Sequence, residues 1–184
     1  LLNGVMMYQG TASFESAHQV RVGEETISAD NIIIATGSVP IAPKGGLTSD
    51  DILKLTEVPQ KITFVGGGYI GCEYANIFTG FGSKVRIVEA LPRVLSGEDE
   101  DVVREVIKSS KRRGIGILTG TRYEPQEGDL AFYVIGRRAN LPTLLDGGSI
   151  SELGVQLTEK GAIKVDSRMR TSAPYVYAVG GCDW

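Results

Sequence analysis

A short β-branched run, Lys61-Ile-Thr-Phe-Val65, breaks into Gly66-Gly67-Gly68-Tyr69-Ile70-Gly71 and resumes as Cys72-Glu-Tyr-Ala-Asn-Ile-Phe78 at helical spacing. Strand, tight turn and helix in succession are the setting in which glycines at 66, 68 and 71 carry meaning. The first permits the turn, the second lets backbone approach a pyrophosphate, and the third lets the helix pack close on the strand. The helix N-terminus adds free N–H groups and partial positive charge for the phosphates. This stretch predicts a dinucleotide-binding βαβ unit and constrains the fold more than any other.

A second apolar strand, Lys84-Val-Arg-Ile-Val88, ends in Glu89, eighteen residues past Gly71. An acid about 20 residues beyond the glycines accepts the ribose 2′-hydroxyl. Glu89 therefore favours NAD over NADP, since a 2′-phosphate would meet a carboxylate. Arg93, close by, keeps the phosphate reading open. The plain alternative is a glycine-rich turn with a solvated Glu at a strand end.

The chain's 184 residues make one ordinary domain, or one and part of another. A net charge of −3 and a pI near 5.3 leave no footprint for nucleic acid or an anionic membrane. No apolar run approaches the ~20 residues of a membrane span, and no signal-peptide pattern opens the chain. Glycine stands out at 24 residues, which suits a fold with many βα turns. The two cysteines, Cys72 and Cys182, form neither a C-x-x-C pair nor a metal cluster. Cys72, just inside the nucleotide helix, reads as a small packed side chain, with a lowered thiol pKa as the alternative. A reducing compartment is expected, cytoplasmic or the mitochondrial matrix. His18, the only histidine, reads as a surface residue rather than a base.

Along the chain, Val5–Tyr8, Gly10–Phe14 and Gln19–Val22 read as short antiparallel strands. Ile27–Ile34 reads as an apolar strand that stops at Ala35-Thr36-Gly37-Ser38, a small-residue turn over which backbone can approach a ligand. Pro, Lys and Gly mark a domain boundary in Pro40–Ser49. Ser49 or Asp50 is expected to cap a short helix through Leu55. Ser96 is expected to cap a helix with acidic residues first, basic residues last, and Val102, Val103, Val106 and Ile107 buried. Gly114 ends that helix before a strand Ile115–Leu118. Later strands are expected at Ala131–Ile135, Ala162–Val165 and Tyr175–Val179. Strand, helix, strand, helix, strand in this order is a parallel mononucleotide-binding half.

Ala35-Thr-Gly-Ser38, Gly66-Gly-Gly-Tyr-Ile-Gly-Cys-Glu73, Val88-Glu-Ala-Leu-Pro-Arg93, Gly136-Arg-Arg-Ala-Asn140 and Tyr177-Ala-Val-Gly180 resemble, in this order, the pyridine nucleotide-disulfide oxidoreductases. Within that family the resemblance is greatest to the dihydrolipoamide dehydrogenase type. It implies NAD contacts at Gly66, Gly67, Gly68, Ile70, Gly71, Glu89 and Gly136, and an adenine-side contact at Tyr123. It also implies that Tyr69 lies over a flavin until nicotinamide displaces it, and that Glu73 stands beside nicotinamide and flavin. Gly10, Thr36, Gly37 and Ser38 match flavin-side positions for FAD. Bland readings remain for Tyr69, as a packed aromatic, and for Glu73, as a surface acid.

The chain also departs from the family. The family's own FAD-binding glycine motif and C-x-x-x-x-C redox pair lie upstream of the matched region, and its acid–base His-Glu pair lies downstream. Its flavin-binding Asp is Gly181 here, with Asp183 two places late, and its Pro after Arg138 is Ala139. Family members carry an antiparallel meander where this chain has only Thr119–Asp129, so lost residues are expected near Tyr123–Gly128 and Ala42–Gly46.

The expected architecture is α/β: a Rossmann-like NAD-binding domain over residues 45–141, flanked by parts of an incomplete FAD-binding domain at 1–44 and 142–184. The implied parent chemistry is hydride transfer between NAD and FAD with an enzyme disulfide, on a lipoamide-type substrate, in a homodimer. Two alternatives stay open: a mercuric- or glutathione-reductase-like relative, and a non-catalytic nucleotide-binding protein.

Overall fold

The computed structural model describes residues 2–125 and 127–183. The chain divides into two units, Leu1–Val39 with Arg138–Trp184, and Pro40–Arg137.

The first unit opens with β1 (Ala12–Ser16), β2 (Gln19–Val22) and β3 (Glu25–Ser28), an antiparallel meander with Ala12 opposite Val22 and Gln19 opposite Ser28. The ion pair of Arg21 with Glu15 crosses β1 and β2. Val5–Tyr8, expected as a strand, forms none. Its side chains are exposed, Met7 at 74%, and apolar composition makes a strand only where a partner ladder receives it. Ile27–Ile34 is two strands rather than one. Ala29-Asp-Asn31 breaks it, and Ala29 N–H turns to the His18 carbonyl at 2.9 Å before β4 (Ile32–Ile34) begins. The chain then runs through β5 (Ser38–Pro40).

The second unit holds β6 (Leu47–Thr48), α1 (Ser49–Ile52), β7 (Lys61–Val65), α2 (Tyr69–Gly80), β8 (Lys84–Val88), α3 (Glu100–Arg112), β9 (Gly116–Leu118) and β10 (Ala131–Tyr133). Five parallel strands lie in the order β6-β10-β7-β8-β9, the α/β arrangement expected. Four of the five β7 residues are buried, as befits a parallel strand covered on both faces. Phe64 and Phe132, fully buried on adjacent strands, meet at 6.3 Å between ring centroids, and Phe78 of α2 packs on Phe64 at 6.1 Å.

The helix ends depart from expectation. Asp99, not Ser96, caps α3, accepting N–H bonds from Asp101 at 2.8 Å and Val102 at 3.4 Å. Val102 faces outward at 55% exposure, and Val103 and Ser110 are the helix's buried residues. Thr48 caps α1 through a reciprocal box with Asp51, and that helix ends at Ile52 rather than Leu55. After β9, residues 119–130 cross back to β10; among the described residues this link holds no helix.

The chain continues through β11 (Arg137–Ala139) and β12 (Val176–Ala178). In the first unit β12 pairs in parallel with β4, Tyr177 opposite Ile33. Phe14, Ile34, Ile150, Val155, Ile163 and Val176 form its core. Ala162–Val165 is no strand: Ala162 and Ile163 are buried, but only an isolated bridge from Leu157 to Ile163 forms. Among the described residues no helix is long and apolar enough to cross a membrane, and no group of His, Cys, Asp or Glu could hold a metal ion.

Candidate nucleotide-binding site

In the second unit the carboxyl ends of the parallel strands gather Gly66 after β7, Glu89 after β8 and Gly136 after β10. Open α/β sheets bind ligands at this edge. Gly66 takes φ 115°, and a Cβ there would stand 2.6 Å from the Val134 carbonyl oxygen, so the turn passes against β10's continuation only because it lacks a side chain. Gly71 faces the Gly66 carbonyl oxygen with no room for a Cβ, which sets how closely α2 lies on β7. At Gly68, by contrast, a Cβ would meet no described atom within 4 Å. Gly68 is also the N-cap of α2, where no side chain caps the helix and its first turn contains no acid. An uncapped helix start facing open space suits an anion.

The Glu89 carboxylate is held by two backbone amides. Gly67 N–H donates to Oε2 at 2.6 Å and Leu91 N–H to Oε1 at 2.7 Å. A carboxylate offers about four lone-pair positions, so two remain for hydroxyl donors. Thr121 N–H donates to the Glu89 carbonyl at 3.0 Å, and Gly120 N–H to that of Leu91 at 2.8 Å, which ties the end of β8 to the turn after β9. Arg93 turns into its own loop. Its Nη2 donates to the Ser96 and Glu98 carbonyls at 2.8 and 3.1 Å.

Tyr69 and Glu73 stand four residues apart on α2, both on its exposed side, Tyr69 at 63%. Ile70 between them is half-buried against the core. Cys72 points inward, its thiol toward the Gly67 carbonyl at 3.7 Å. Burial, and then the carboxylates of Glu73 and Glu89, push that thiol up to about 11, so the packed-residue reading holds and the lowered pKa does not. Tyr123 lies with Asp129 and Tyr133: its hydroxyl donates to Asp129 at 3.2 Å and its ring meets Tyr133 edge-on at 6.1 Å. No described contact joins it to Glu89 or the glycine turn.

In the first unit Thr36, Gly37 and Ser38 follow β4, and Gly180 and Gly181 follow its parallel neighbour β12. Asn140, whose role the sequence does not reveal, ties this edge together. Its Nδ2 donates to the Thr36 carbonyl at 3.1 Å, its N–H to the Gly37 carbonyl at 2.9 Å, and its own carbonyl accepts the Thr36 hydroxyl at 2.5 Å. A Cβ on Gly181 would stand 2.9 Å from Ser38 Oγ and 3.1 Å from its N, which explains why an Asp has no room at this position. Gly10 is exposed beside the meander, where a Cβ would stand 3.0 Å from Val22 Cγ1. His18 meets the Tyr175 ring at 5.1 Å, tilted by 43°, at the surface.

The sequence profile of the pyridine nucleotide-disulphide oxidoreductases matches residues 1–183. The chain belongs to that family. Among its relatives, the dihydrolipoyl dehydrogenase of Bacillus subtilis (strain 168) is 35% identical over 207 residues, covering 97% of this chain and 44% of that protein. The dihydrolipoyl dehydrogenase of Acholeplasma laidlawii is 34% identical over 205 residues, covering 97% of this chain and 59% of that protein. The family fold is shared with the HOCl-induced flavoprotein disulfide reductase RclA of Escherichia coli in its Cu(II) complex, at TM-score 0.79 and 30% identity over 93% of this chain and 44% of that one. The chain thus spans about half the length of the relatives it matches. The 207 aligned residues exceed the 184 of the chain, so the Bacillus relative has residues inside the matched region that this family member lacks.

Proposed function

We propose that this chain is the NAD(H)-binding part, with a portion of the FAD-binding part, of a flavin-dependent disulfide oxidoreductase of the dihydrolipoamide dehydrogenase type. Bound NAD(H) supplies the hydride exchange. The chain's own residues bind and aim it. Gly68 and the start of α2 would take the pyrophosphate, Glu89 the adenine-side ribose, and Gly66 and Gly136 the close passage of the strand ends. Tyr69 and Glu73, side by side on exposed α2, would face the nicotinamide. Tyr123 would reach the adenine side. Thr36, Gly37, Ser38 and Gly10 would approach FAD, which fits a strand edge where Gly181 lets the backbone pass close to Ser38. The reacting partner would be a lipoamide-type disulfide.

The observation that carries this reading is the fixed Glu89 carboxylate beside an uncapped, open glycine turn, with Arg93 occupied in its own loop. Two amides fix this carboxylate at the strand end, where it attracts a 2′-hydroxyl and repels a 2′-phosphate. Calorimetric titration with NADH and NADPH tests it. NADH is expected to bind at least about tenfold more tightly, and equal or reversed affinities would overturn the assignment.

A further inference from the structure

Between β8 and α3, residues 90–99 form neither strand nor helix, yet they close on the glycine turn. Val94 is fully buried, and its Cγ1 fills the notch that Gly67 leaves: a Cβ on Gly67 would stand 2.5 Å from it. Leu95 takes φ 49°, a conformation that costs a leucine energy. In that conformation its N–H donates to the Gly67 carbonyl at 2.8 Å. Arg93 closes the loop on itself through the Ser96 and Glu98 carbonyls, with Nη1 3.8 Å from Glu100. Glu98 N–H returns to the Leu95 carbonyl at 2.9 Å.

The consequence lies in peptide geometry. The C=O of Gly67 and the N–H of Gly68 belong to one planar trans unit and point in opposite directions. Anchoring the carbonyl on Leu95 therefore aims the Gly68 N–H away from the loop, at the glycine turn's open side. Glu89 fixes the other end of the same residue by accepting the Gly67 N–H. Segment 89–95 thus holds Gly67 at both its polar groups and at its Cα.

We infer that loop 90–98 is a brace that orients the Gly67–Gly68 peptide for a pyrophosphate, and that Arg93 is its positioning residue rather than a ligand for a 2′-phosphate. The inference rests on reading this turn as a dinucleotide cradle. Because NADH and NADPH share the pyrophosphate, a brace affects both equally, whereas a phosphate ligand affects NADPH alone.

The test is Arg93→Met in the full chain, with three measurements: the dissociation constants of NADH and NADPH, amide hydrogen exchange at Leu95, and thermal unfolding. Expected are a loss of about tenfold for each nucleotide with their ratio unchanged, faster Leu95 exchange, and a cooperative transition retained. Arg93→Lys, whose ammonium can donate to the same two carbonyls, should keep both affinities within about threefold. Weakened NADPH with unaltered NADH would overturn the proposal, as would two unaltered affinities. Should the unsubstituted chain bind neither nucleotide, the cradle reading falls and the positioning role with it. Slow, Arg93-dependent Leu95 exchange would then show that the fault lay in the cradle and not in the loop contacts.

Discussion

Gly71 of α2 packs so closely on the carbonyl oxygen of Gly66 that no side-chain carbon fits between them. A Cβ at 71 would also press on Val134 Cγ2 at 3.2 Å. Alanine inside a helix ordinarily gains about 1 kcal/mol over glycine, whereas overpacking a fixed site costs about 1–3 kcal/mol or more. A backbone oxygen anchored in β7's turn cannot swing aside, so the clash wins. Gly71→Ala is expected to lower stability by about 2–3 kcal/mol, read from the urea midpoint at constant slope. A stabilised variant would show that α2 can lift from the strand at no cost.

Gly68 gives the opposite outcome three residues earlier. Its φ of −73° suits any residue, and open space surrounds its Cα. Gly68→Val should unfold within about 1 kcal/mol of the parent, yet lose NADH binding because the branched side chain fills the space kept for phosphate. Full NADH affinity in the folded variant would assign the turn a purely structural role.

Burial of the two thiols sets a third expectation. Cys72 is 6% exposed and Cys182 fully buried, and burial pushes the Cys72 thiol up to about 11. Thiolate, not thiol, is the nucleophile, so Cys72 stays unreactive at neutral pH. With its folded value raised above the ordinary ~8.5, the neutral thiol supports the fold below that pH, and this contribution is lost as pH rises toward 11. An aromatic disulfide reagent at pH 8 should label neither cysteine in the native chain and both in denaturant. Stoichiometric native labelling would mean that α2 opens readily.

Much of this arrangement is legible in the sequence, and the reason differs by element. The glycine turn and Glu89 are readable because fixed spacing on a strand–helix unit leaves little freedom for where they land. Val94 and Leu95 leave no such mark: a leucine at positive φ and a valine filling a neighbour's missing Cβ are products of packing. Ser96 and Asp99 can each cap a helix. Asp99 does so because Val103 and Ser110 are the positions that dock, a choice made by tertiary contact rather than propensity. Val5–Tyr8 and Ala162–Val165 have strand composition without a strand to pair with. Asn140 works through backbone groups of Thr36 and Gly37 more than a hundred positions away, beyond any local pattern.

The link 119–130 is where the expected loss of residues meets an observed compensation. Having no helix among its described residues, it is seated on the sheet by polar contacts. Asp129 accepts from Arg86 of β8 at 2.5 Å and from the Tyr123 hydroxyl at 3.2 Å, and Arg86 Nε donates to the buried Thr63 hydroxyl of β7 at 2.8 Å. Thr63 N–H completes the seat by donating to the Leu130 carbonyl at 2.9 Å. Hydrogen bonds to charged groups contribute about 1.5–3 kcal/mol when well protected, but Arg86 and Asp129 are 36% and 25% exposed, so solvent screening reduces the figure. Asp129→Asn should therefore cost about 1 kcal/mol in urea unfolding, and about 0.5 M salt should narrow the gap from the parent. Burial and the Asp129 carboxylate together hold the Tyr123 phenol above its ordinary value. Removing the negative charge should bring that phenol down, visible as earlier tyrosinate absorbance in an alkaline titration. If stability and tyrosinate onset both stay unchanged, the link is seated by the packing of Leu130 and the Tyr123–Tyr133 ring pair instead, and the Arg86–Asp129 pair contributes nothing to holding it.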